Sequence, residues 1–368
     1  MSVDQGDFDE GVRANAGRLL ARGASDDVGA DRRLAAAIAD LGVPDDSRLT
    51  ERVRALVHQN FAGQCGLIER DLRRHAMRLL AERGLDIAAG AIERAGATVH
   101  PTLAAAGLLA DRELMREMIG RARQAVLADS LPIAPPEGGD RTSLIVRLLE
   151  HPDGVVADAA SAMLVAESKR RDGLAKPQRS DLPAECHHRL VWTAAAVIRA
   201  ELPPQGAAEQ AASDAALTEA ALRTLAHHDE GERLEAAAMR LAVALAPPVS
   251  ELGALIAEAL GDRRVALAIA LLAQALGLDY DAVRDIILDP VTDRLWLALR
   301  AAGLARPAIA RIGLALADAE PLRDLEAFAD QLPAILAVSP AEARAALAPL
   351  GLHPDFRASI TELARARR

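Results

Sequence analysis

A recurring helix stop sets the architecture of this chain. A helical segment ends in glycine, followed at once by an aliphatic residue, at Gly42-Val43, Gly84-Leu85, Gly107-Leu108, Gly277-Leu278, Gly303-Leu304 and Gly351-Leu352. Glycine takes the left-handed conformation at the first non-helical position, and the apolar residue after it folds back onto the last turn. A start signal complements these stops at Ser339-Pro340-Ala341-Glu342, which is a capping box with proline at the first helical position. The pattern predicts short helices joined by tight turns.

The supply of apolar residues favours the same structure. About 80 of the 368 residues are alanine, whereas Phe, Trp and Tyr together make up only 2%. Alanine loses no side-chain entropy in a helix and packs weakly on a pleated sheet, so it favours helices over strands. We predict an all-α fold, an irregular array of antiparallel helix pairs of HEAT-like or solenoid-like type. The first third of the chain also allows a separate N-terminal helical bundle.

Two segments rich in Pro and Gly divide the sequence, PIAPPEGGD from residue 132 and PPQGAAEQAAS from residue 203. The predicted organisation is an N-terminal helical region over residues 1–131, a linker or surface loop over 132–142, a central helical region over 143–202, a linker over 203–213 and a C-terminal helical array over 214–368.

Charge and hydropathy limit the classes of partner. The net charge of −10 argues against binding to nucleic acid or to an anionic membrane. The longest apolar stretch, Val265 to Leu278, has about 14 residues, fewer than the roughly 20 that span a bilayer. The acidic segment from Met1 to Gly11 does not resemble a secretory signal. We expect a cytoplasmic protein with a protein partner, no nucleic acid and no membrane, and the oligomeric state stays open.

Three stretches together resemble a known family. They are Gly107 to Gly120 (GLLADRELMREMIG), Leu182 to Leu202 (LPAECHHRLVWTAAAVIRAEL) and Gly277 to Leu304 (GLDYDAVRDIILDPVTDRLWLALRAAGL). Their order and spacing are similar to the alphaproteobacterial family catalogued as domain of unknown function 2336, over residues 60–350. The resemblance implies an all-helical, HEAT-like array in a bacterial cytoplasmic protein. It transfers no catalytic residue.

The first candidate site contains His58, Cys65 and His75. On one continuous helix these residues would share a face, because their spacing follows the three-and-four pattern of helical turns. They are weak candidates for ligands of a soft divalent metal. They stand about two turns or more apart, however, and Gly63 and Gly66 could end the helix between them. We favour a buried helix face and predict no bound metal and no cofactor.

The second candidate is the run Glu185, Cys186, His187 and His188 at a predicted helix start. A helix N-terminus lowers the pKa of a cysteine thiol, so Cys186 could act as a nucleophile with a histidine as its base. Neighbouring residues of a helix point in different directions, which makes a pair between Cys186 and His187 poor. The preferred interpretation is a polar first turn in solvent.

The third candidate is His227, His228 and Asp229, followed by three glutamates up to Glu235. The segment contains every side chain that a metal site needs. Its consecutive positions diverge, however, and the segment is typical of an exposed helix junction, so a solvated turn is preferred.

The fourth candidate matches the spacing of a DNA-binding helix-turn-helix, with Ala273, Gly277, Leu278, Val283 and Ile286 in the expected places. The second helix would enter the major groove. Against Arg284 it carries four carboxylates: Asp279, Asp281, Asp285 and Asp289. Because carboxylates repel phosphates, we interpret the motif as an architectural corner.

The sequence therefore favours a non-enzymatic helical-repeat protein that acts as a protein–protein interaction or regulatory module. The alternative is an enzyme or a sensor of a small ligand or metal, with a pocket in the helical array near the histidine clusters.

Overall fold

The computed structural model describes residues 13, 15–20, 35, 49–94, 96, 98–106, 111–132, 142–173, 179–289, 293–320 and 323–366. Over these residues the chain is all-α and contains no strand, as predicted. The stops at Gly42 and Gly107, and most of the first predicted linker, lie outside the described residues.

The helices follow one another with short connections. They are α1 (Glu51–Glu82), α2 (Asp86–Arg94), α3 (Val99–Ala105), α4 (Arg112–Ser130), α5 (Leu144–Leu149), α6 (Gly154–Gly173), α7 (Ala184–Ala200), α8 (Ala207–Ala226), α9 (Leu234–Leu245), α10 (Val249–Gly261), α11 (Val265–Leu276), α12 (Tyr280–Leu288), α13 (Arg294–Ala301), α14 (Arg306–Ala319), α15 (Leu325–Ala337), α16 (Pro340–Leu347) and α17 (Pro354–Ala366). Two 3₁₀ turns, Glu230–Glu232 and Ala348–Gly351, lie between them.

The chain divides into two compact units, and each is discontinuous in sequence. Unit 1 contains Met1–Ala35, Arg123–Leu164 and Ala237–Arg368, and unit 2 contains Ala36–Ala122 and Val165–Ala236.

Unit 2 is built on the long helix α1. Thr50 caps its N-terminus by accepting a hydrogen bond from the Val53 amide at 3.3 Å. Buried residues recur along α1 at the three-and-four spacing of one helix face, and that face packs against α2, α3, α7 and α8. The buried face of α8 is small, with Ser213, Ala216 and Ala220 among its residues. Small side chains let two helix axes approach closely, which is how an alanine-rich sequence fills a core.

Unit 1 is centred on α11. Every residue from Val265 to Ala273 is buried, because α10, α12 and α13 pack around the helix. Among the described helices none is by itself long and apolar enough to cross a membrane, although the pair α11–α12, bent by 118°, would qualify on length and composition.

Three of the predicted glycine stops are confirmed. Gly84, Gly277 and Gly303 have φ values of +72°, +64° and +79°. In the turn after α11, the Leu278 amide donates to the carbonyl of Ala273 at 3.1 Å, which closes the helix end. Leu304 does the same to Leu299 at 3.1 Å.

The prediction of a left-handed stop at Gly351 is wrong. The chain after α16 tightens into the 3₁₀ turn Ala348–Gly351, and the Leu352 amide donates to Pro349 only three residues earlier. This turn needs no positive φ, and Leu352 stays exposed. The capping box at Ser339 and Glu342 is confirmed, with both reciprocal hydrogen bonds formed.

The predicted linker at residues 203–213 is shorter in the structure. Helix α8 begins at Ala207, with Gly206 as its N-cap residue and the Gln210 amide bonded to the Gly206 carbonyl at 2.9 Å. The residues that follow Gly206 are mostly alanine, a strong helix former, so only the Pro-Pro-Gln-Gly segment stays non-helical. The domain boundaries themselves stay a prediction.

A close contact joins α14 and α15 in unit 1. The ring of Phe328 packs on the backbone of Gly313, where a Cβ atom would lie only 2.3 Å from the ring. The Phe328 ring also stacks on Trp296 of α13. The ring centroids are 4.3 Å apart and the ring planes are nearly parallel. Glycine at 313 therefore allows three helices to share one aromatic pair.

Candidate functional site

The first candidate set lies on one unbroken helix. α1 runs through Gly63 and Gly66, and it buries Cys65 completely while His58 and His75 lie at the edges of the buried face. At 1.5 Å per residue the helix separates His58 from Cys65 by about 10 Å and Cys65 from His75 by about 15 Å. One metal ion does not bridge such distances. Among the described residues no group of three His, Cys, Asp or Glu side chains is arranged to hold a metal ion.

Burial makes both cysteines poor nucleophiles. It raises the pKa of the Cys65 thiol to about 12, with a contribution from Glu69. It also raises the pKa of Cys186 to about 12, and the nearby carboxylates of Glu117 and Asp111 add to the effect. Because the thiolate is the reactive species, neither residue is activated at neutral pH.

Cys186 and His187 point to different neighbours, as their adjacent positions on α7 require. Cys186 lies beside a cavity of about 10 Å³, which is room for a single water molecule. On the outer side of the same helix Glu185 and His188 are exposed, and the Trp192 indole donates to Nε2 of His188 at 3.2 Å. The prediction of a solvated first turn is correct for Glu185 and His188, and wrong for Cys186 and His187, which α7 turns into the core.

The structure brings the second and third candidates together through two stacked rings. The imidazoles of His187 and His228 lie with their centroids 4.1 Å apart and their planes at 22°. His187 is only 3% exposed. Burial, followed by the proximity of His228, lowers the pKa of His187 to about 4. Burial also lowers the pKa of His228.

The remaining residues of the third candidate behave as a helix junction. His227 ends α8 and its Nδ1 lies 2.7 Å from the Arg223 carbonyl, while Asp229 accepts a hydrogen bond from the Gly231 amide at 2.8 Å. Both are exposed. The expected solvated turn is wrong for His228, which is half-buried against His187, and for Glu235, which is buried.

Glu235 belongs to a cluster of charges that the sequence did not reveal. We call it the buried charge cluster, and it consists of Glu117, Arg121, Arg170, Asp181, Arg233 and Glu235. Its members come from α4, α6, α9 and the segments that precede α7 and α9, all within unit 2. Three arginines and three carboxylates give the cluster no net charge.

Asp181 is the centre of the cluster. One carboxylate oxygen accepts from Nη1 of Arg121 at 2.6 Å, and the other accepts from Nε of Arg170 at 2.9 Å. The backbone carbonyl of Asp181 accepts from Arg121 and also from Nε of Arg233 at 3.0 Å. Burial alone would raise the pKa of Asp181, but Arg121 and Arg170 hold it well below its usual range.

Three further hydrogen-bonded ion pairs close the cluster. The two Nη atoms of Arg170 donate hydrogen bonds to the two carboxylate oxygens of Glu235, at 2.6 Å and 2.8 Å. Glu117 accepts from Nε of Arg121 at 2.7 Å and from Nη2 of Arg233 at 3.1 Å. Burial opposes the charged form of Glu235, but Arg170 lowers its pKa. Every carboxylate is matched by an arginine, so the cluster is built to hold helices in register rather than to exchange protons.

The helix-turn-helix candidate has the expected angle but a buried second helix. α11 and α12 meet at 118° across the three residues Gly277–Asp279, in the range of such units. The buried residues of α12 are Tyr280, Ala282, Val283, Arg284, Ile286 and Ile287. A helix that fills the core of unit 1 does not enter a DNA groove in this conformation, and the architectural interpretation is the better one.

The described part of the chain is thus an all-α protein of packed helices, in which Cys65, Cys186 and His187 of the candidate sites lie in the core. The chain belongs to the family described as an uncharacterised protein conserved in bacteria (DUF2336), which matches residues 137–348. Of the three stretches that resembled this family, those at residues 182–202 and 277–304 lie inside the match and that at 107–120 lies outside it. No curated protein and no solved structure matches the chain.

Proposed function

We propose that the protein is a non-enzymatic, cytoplasmic helical-repeat protein that acts as an interaction or regulatory module by docking a protein partner. One observation carries this function. Helix α17 holds its three large apolar side chains in solvent, with Phe356 58%, Ile360 43% and Leu363 61% exposed. No residue of α17 is buried.

The three side chains form one stripe, because their spacing of four and three residues follows the helical repeat. The side of α17 next to the stripe makes contacts with its own chain: Arg357 and Thr361 are partly covered, and Nη1 of Arg357 donates to the Leu350 carbonyl at 3.3 Å. An amphipathic helix with its apolar stripe outward is the form in which many proteins offer a helix to a groove. A helix of 13 residues is marginal by itself in water, so a partner that covers the stripe would also stabilise it.

In this proposal the helices of unit 1 form a HEAT-like array of antiparallel pairs. The support is the repeated short corner: three residues join α10 to α11 and α11 to α12, and four join α13 to α14. The pairs α10–α11 and α14–α15 each pack together directly. Stacked pairs of this type present extended surfaces for protein partners.

The alternative, an enzyme or ligand sensor with a pocket near the histidines, has weaker support. The cavity beside Cys186 holds about 10 Å³, and His187 and His228 occupy each other's ring faces. The depression of about 620 Å³ lined by Glu185, His188 and Trp192 is larger, but it is wide open to solvent and encloses no ligand-sized space.

The proposed function is tested by site-specific photocrosslinking in bacterial cells. A photoreactive residue in place of Ile360 should give a discrete crosslinked protein species. The matched control is Ala358, which is exposed on the other side of the same helix. Equal crosslinking at both positions, or none at Ile360, would contradict docking through the apolar stripe.

A further inference from the structure

The C-terminal segment that contains α17 is basic in an acidic chain. From Pro354 onwards the sequence holds Arg357, Arg365, Arg367 and Arg368 against Asp355 and Glu362. The segment therefore has a net charge of +2, and since the whole chain has −10, the remaining residues carry −12. A locally acidic protein surface attracts this segment.

Unit 1 has a surface of the complementary kind. Leu314 on α14 and Leu325 at the start of α15 are 47% and 41% exposed. In sequence, Leu314 follows Gly313 and Leu325 lies one turn before Phe328, the two residues at which α14 and α15 come into contact. The exposed carboxylates of these helices and of the α15 N-cap are Asp318, Asp324, Glu326 and Asp330, and together with the exposed Arg306 and Arg311 of α14 they leave a net charge of −2. We call the two leucines and the four carboxylates the α14–α15 surface.

We infer that the partner of α17 is a second copy of this chain, and that α17 of each copy docks on the α14–α15 surface of the other. The inference rests on the proposed function, because it uses the same apolar stripe. Phe356, Ile360 and Leu363 cover the exposed leucines, and Arg365 near the end of α17 meets the carboxylates. The exchange is reciprocal, so one two-fold axis relates two identical contacts and closes the assembly as a dimer.

The first experiment measures the oligomeric state of the full chain by sedimentation velocity over a range of concentrations. The unchanged protein should form dimers that dissociate more readily at high salt, because salt screens the exposed charges. A helix variant, Phe356→Ser with Leu363→Ser, should raise the dissociation constant at least tenfold. A surface variant, Leu314→Ser with Leu325→Ser, should do the same. Leu222→Ser on α8 is the matched control, since Leu222 is 55% exposed and lies on neither surface.

The second experiment mixes the two monomeric variants. The helix variant keeps an intact α14–α15 surface, and the surface variant keeps an intact α17. The mixture should therefore form a mixed dimer held by one of the two contacts, with an affinity between that of the unchanged protein and that of either variant. All the substituted side chains are exposed, so thermal melting of each variant should match the unchanged protein and shows that the fold is kept.

Three outcomes would overturn the inference. A chain that stays monomeric up to about 100 μM forms no such dimer. Dimers that survive the surface variant use another contact, for example one α17 against the other. A monomeric protein that sediments with vesicles of anionic lipid through Phe356 has a lipid surface as its partner. If the chain is monomeric and Ile360 still crosslinks to a different protein, the proposed function stands while the inference fails.

Discussion

His187 is placed where a charged ring is costly. It lies in the first turns of α7, where the helix dipole disfavours a positive charge, and its ring faces a second imidazole at 4.1 Å. The Thr224 carbonyl opposes this effect only in part, since the pKa of His187 still falls to about 4. The ring therefore stays neutral at neutral pH.

The stacked pair predicts acid sensitivity. His187 binds a proton more tightly in the unfolded chain, with a pKa of 6.5 against about 4 in the folded protein. The contribution of the neutral His187 ring to the free energy of unfolding is therefore complete above pH 6.5, and it is lost as the pH falls towards 4. At about 1.4 kcal/mol per pKa unit, this residue should remove roughly 3 kcal/mol from the free energy of unfolding between pH 7 and pH 4.

Urea denaturation at several pH values measures the effect. His187→Phe should flatten the pH dependence in this window, because phenylalanine keeps the stacked ring without a titrating group. His227→Gln is the control, because His227 is exposed and lies next to His228 in sequence. This variant should keep the pH dependence of the unchanged protein. The same slope in His187→Phe and in the unchanged protein would remove His187 as its source.

The glycine at position 277 is predicted to be required for its backbone conformation alone. Gly277 has a φ of +64°, and a Cβ atom built there meets no atom within 4 Å. Gly277→Ala should therefore lower the free energy of unfolding by about 1 kcal/mol, and Gly277→Val by somewhat more, because a Cβ disfavours the left-handed conformation. Thermal melting measures the loss.

Gly66 is the matched control for this substitution. It also has open space around its Cβ position, but it lies inside α1 with helical geometry. Gly66→Ala should raise stability by about 0.5–1 kcal/mol, because alanine is the better helix former. Equal effects at both positions would mean that the backbone at Gly277 is not strained by a side chain.

For single residues, the sequence predicts those conformations that depend on the residue type itself. Gly84, Gly277 and Gly303 could be recognised because glycine is the cheapest residue at a positive φ. Arg263 could not, since it has a φ of +59° at the end of α10 without being glycine, and its Nε donates to the Leu131 carbonyl at 2.8 Å. That hydrogen bond joins residues far apart in sequence. The stacking of His187 on His228 is hidden for the same reason.

Between helices, the buried charge cluster is predicted to be a strong register device. Arg170→Met leaves Glu235 without its main partner and Asp181 without one of its two arginines in a poorly solvated place, and should cost about 3–5 kcal/mol of the free energy of unfolding. Replacing Arg170 and Glu235 together by Met and Leu should recover part of this loss, because no unpaired charge then remains at that end of the cluster. Urea denaturation gives both values.

The control for the cluster is an exposed ion pair. Arg199 binds Asp214 at 2.8 Å on the surface of unit 2, and Arg199→Met should have a much smaller effect. If Arg170→Met were no worse than Arg199→Met, the cluster would not hold the helices of unit 2 together.

The composition of the sequence predicts that helices form better than it predicts which helices contact each other. The alanine content and the capping box at Ser339 predict helices correctly. The predicted linker over residues 203–213 overlaps the first residues of α8. Gly206 and the prolines before it indicate a break, but the residues after Gly206 are helical. Within the buried charge cluster two pairs are local in sequence: Glu117 and Arg121, four residues apart, and Arg233 and Glu235, two residues apart. The other pairs need the folded chain, so no pattern in the sequence marks them.

Across the whole molecule, the charge balance predicts that duplex DNA does not bind. The net charge is −10, and the helix that would enter the groove is buried with aspartates at its exposed positions. Fluorescence anisotropy with a mixed-sequence duplex should show no binding at micromolar protein in about 150 mM salt. A complex of nanomolar affinity would instead require α12 to leave the core.

The division of the chain into two units is the feature of the fold that is hardest to predict from the sequence. The predicted organisation follows the chain in order, whereas each compact unit gathers separate segments. Such a division depends on contacts such as that between Arg121 and Asp181, which are 60 residues apart. The family match over residues 137–348 supplies the helical class but ends before α17, the helix on which the proposed function depends.

The contact between Gly313 and Phe328 has a consequence for the evolution of this chain. A methyl group at 313 would overlap the phenyl ring, so the two positions are not independent. Among related sequences, alanine at the first position should appear together with a smaller side chain at the second, and rarely with phenylalanine. The pair should therefore covary, and a lineage could change it only by passing through a less stable intermediate or by altering the aromatic residue first.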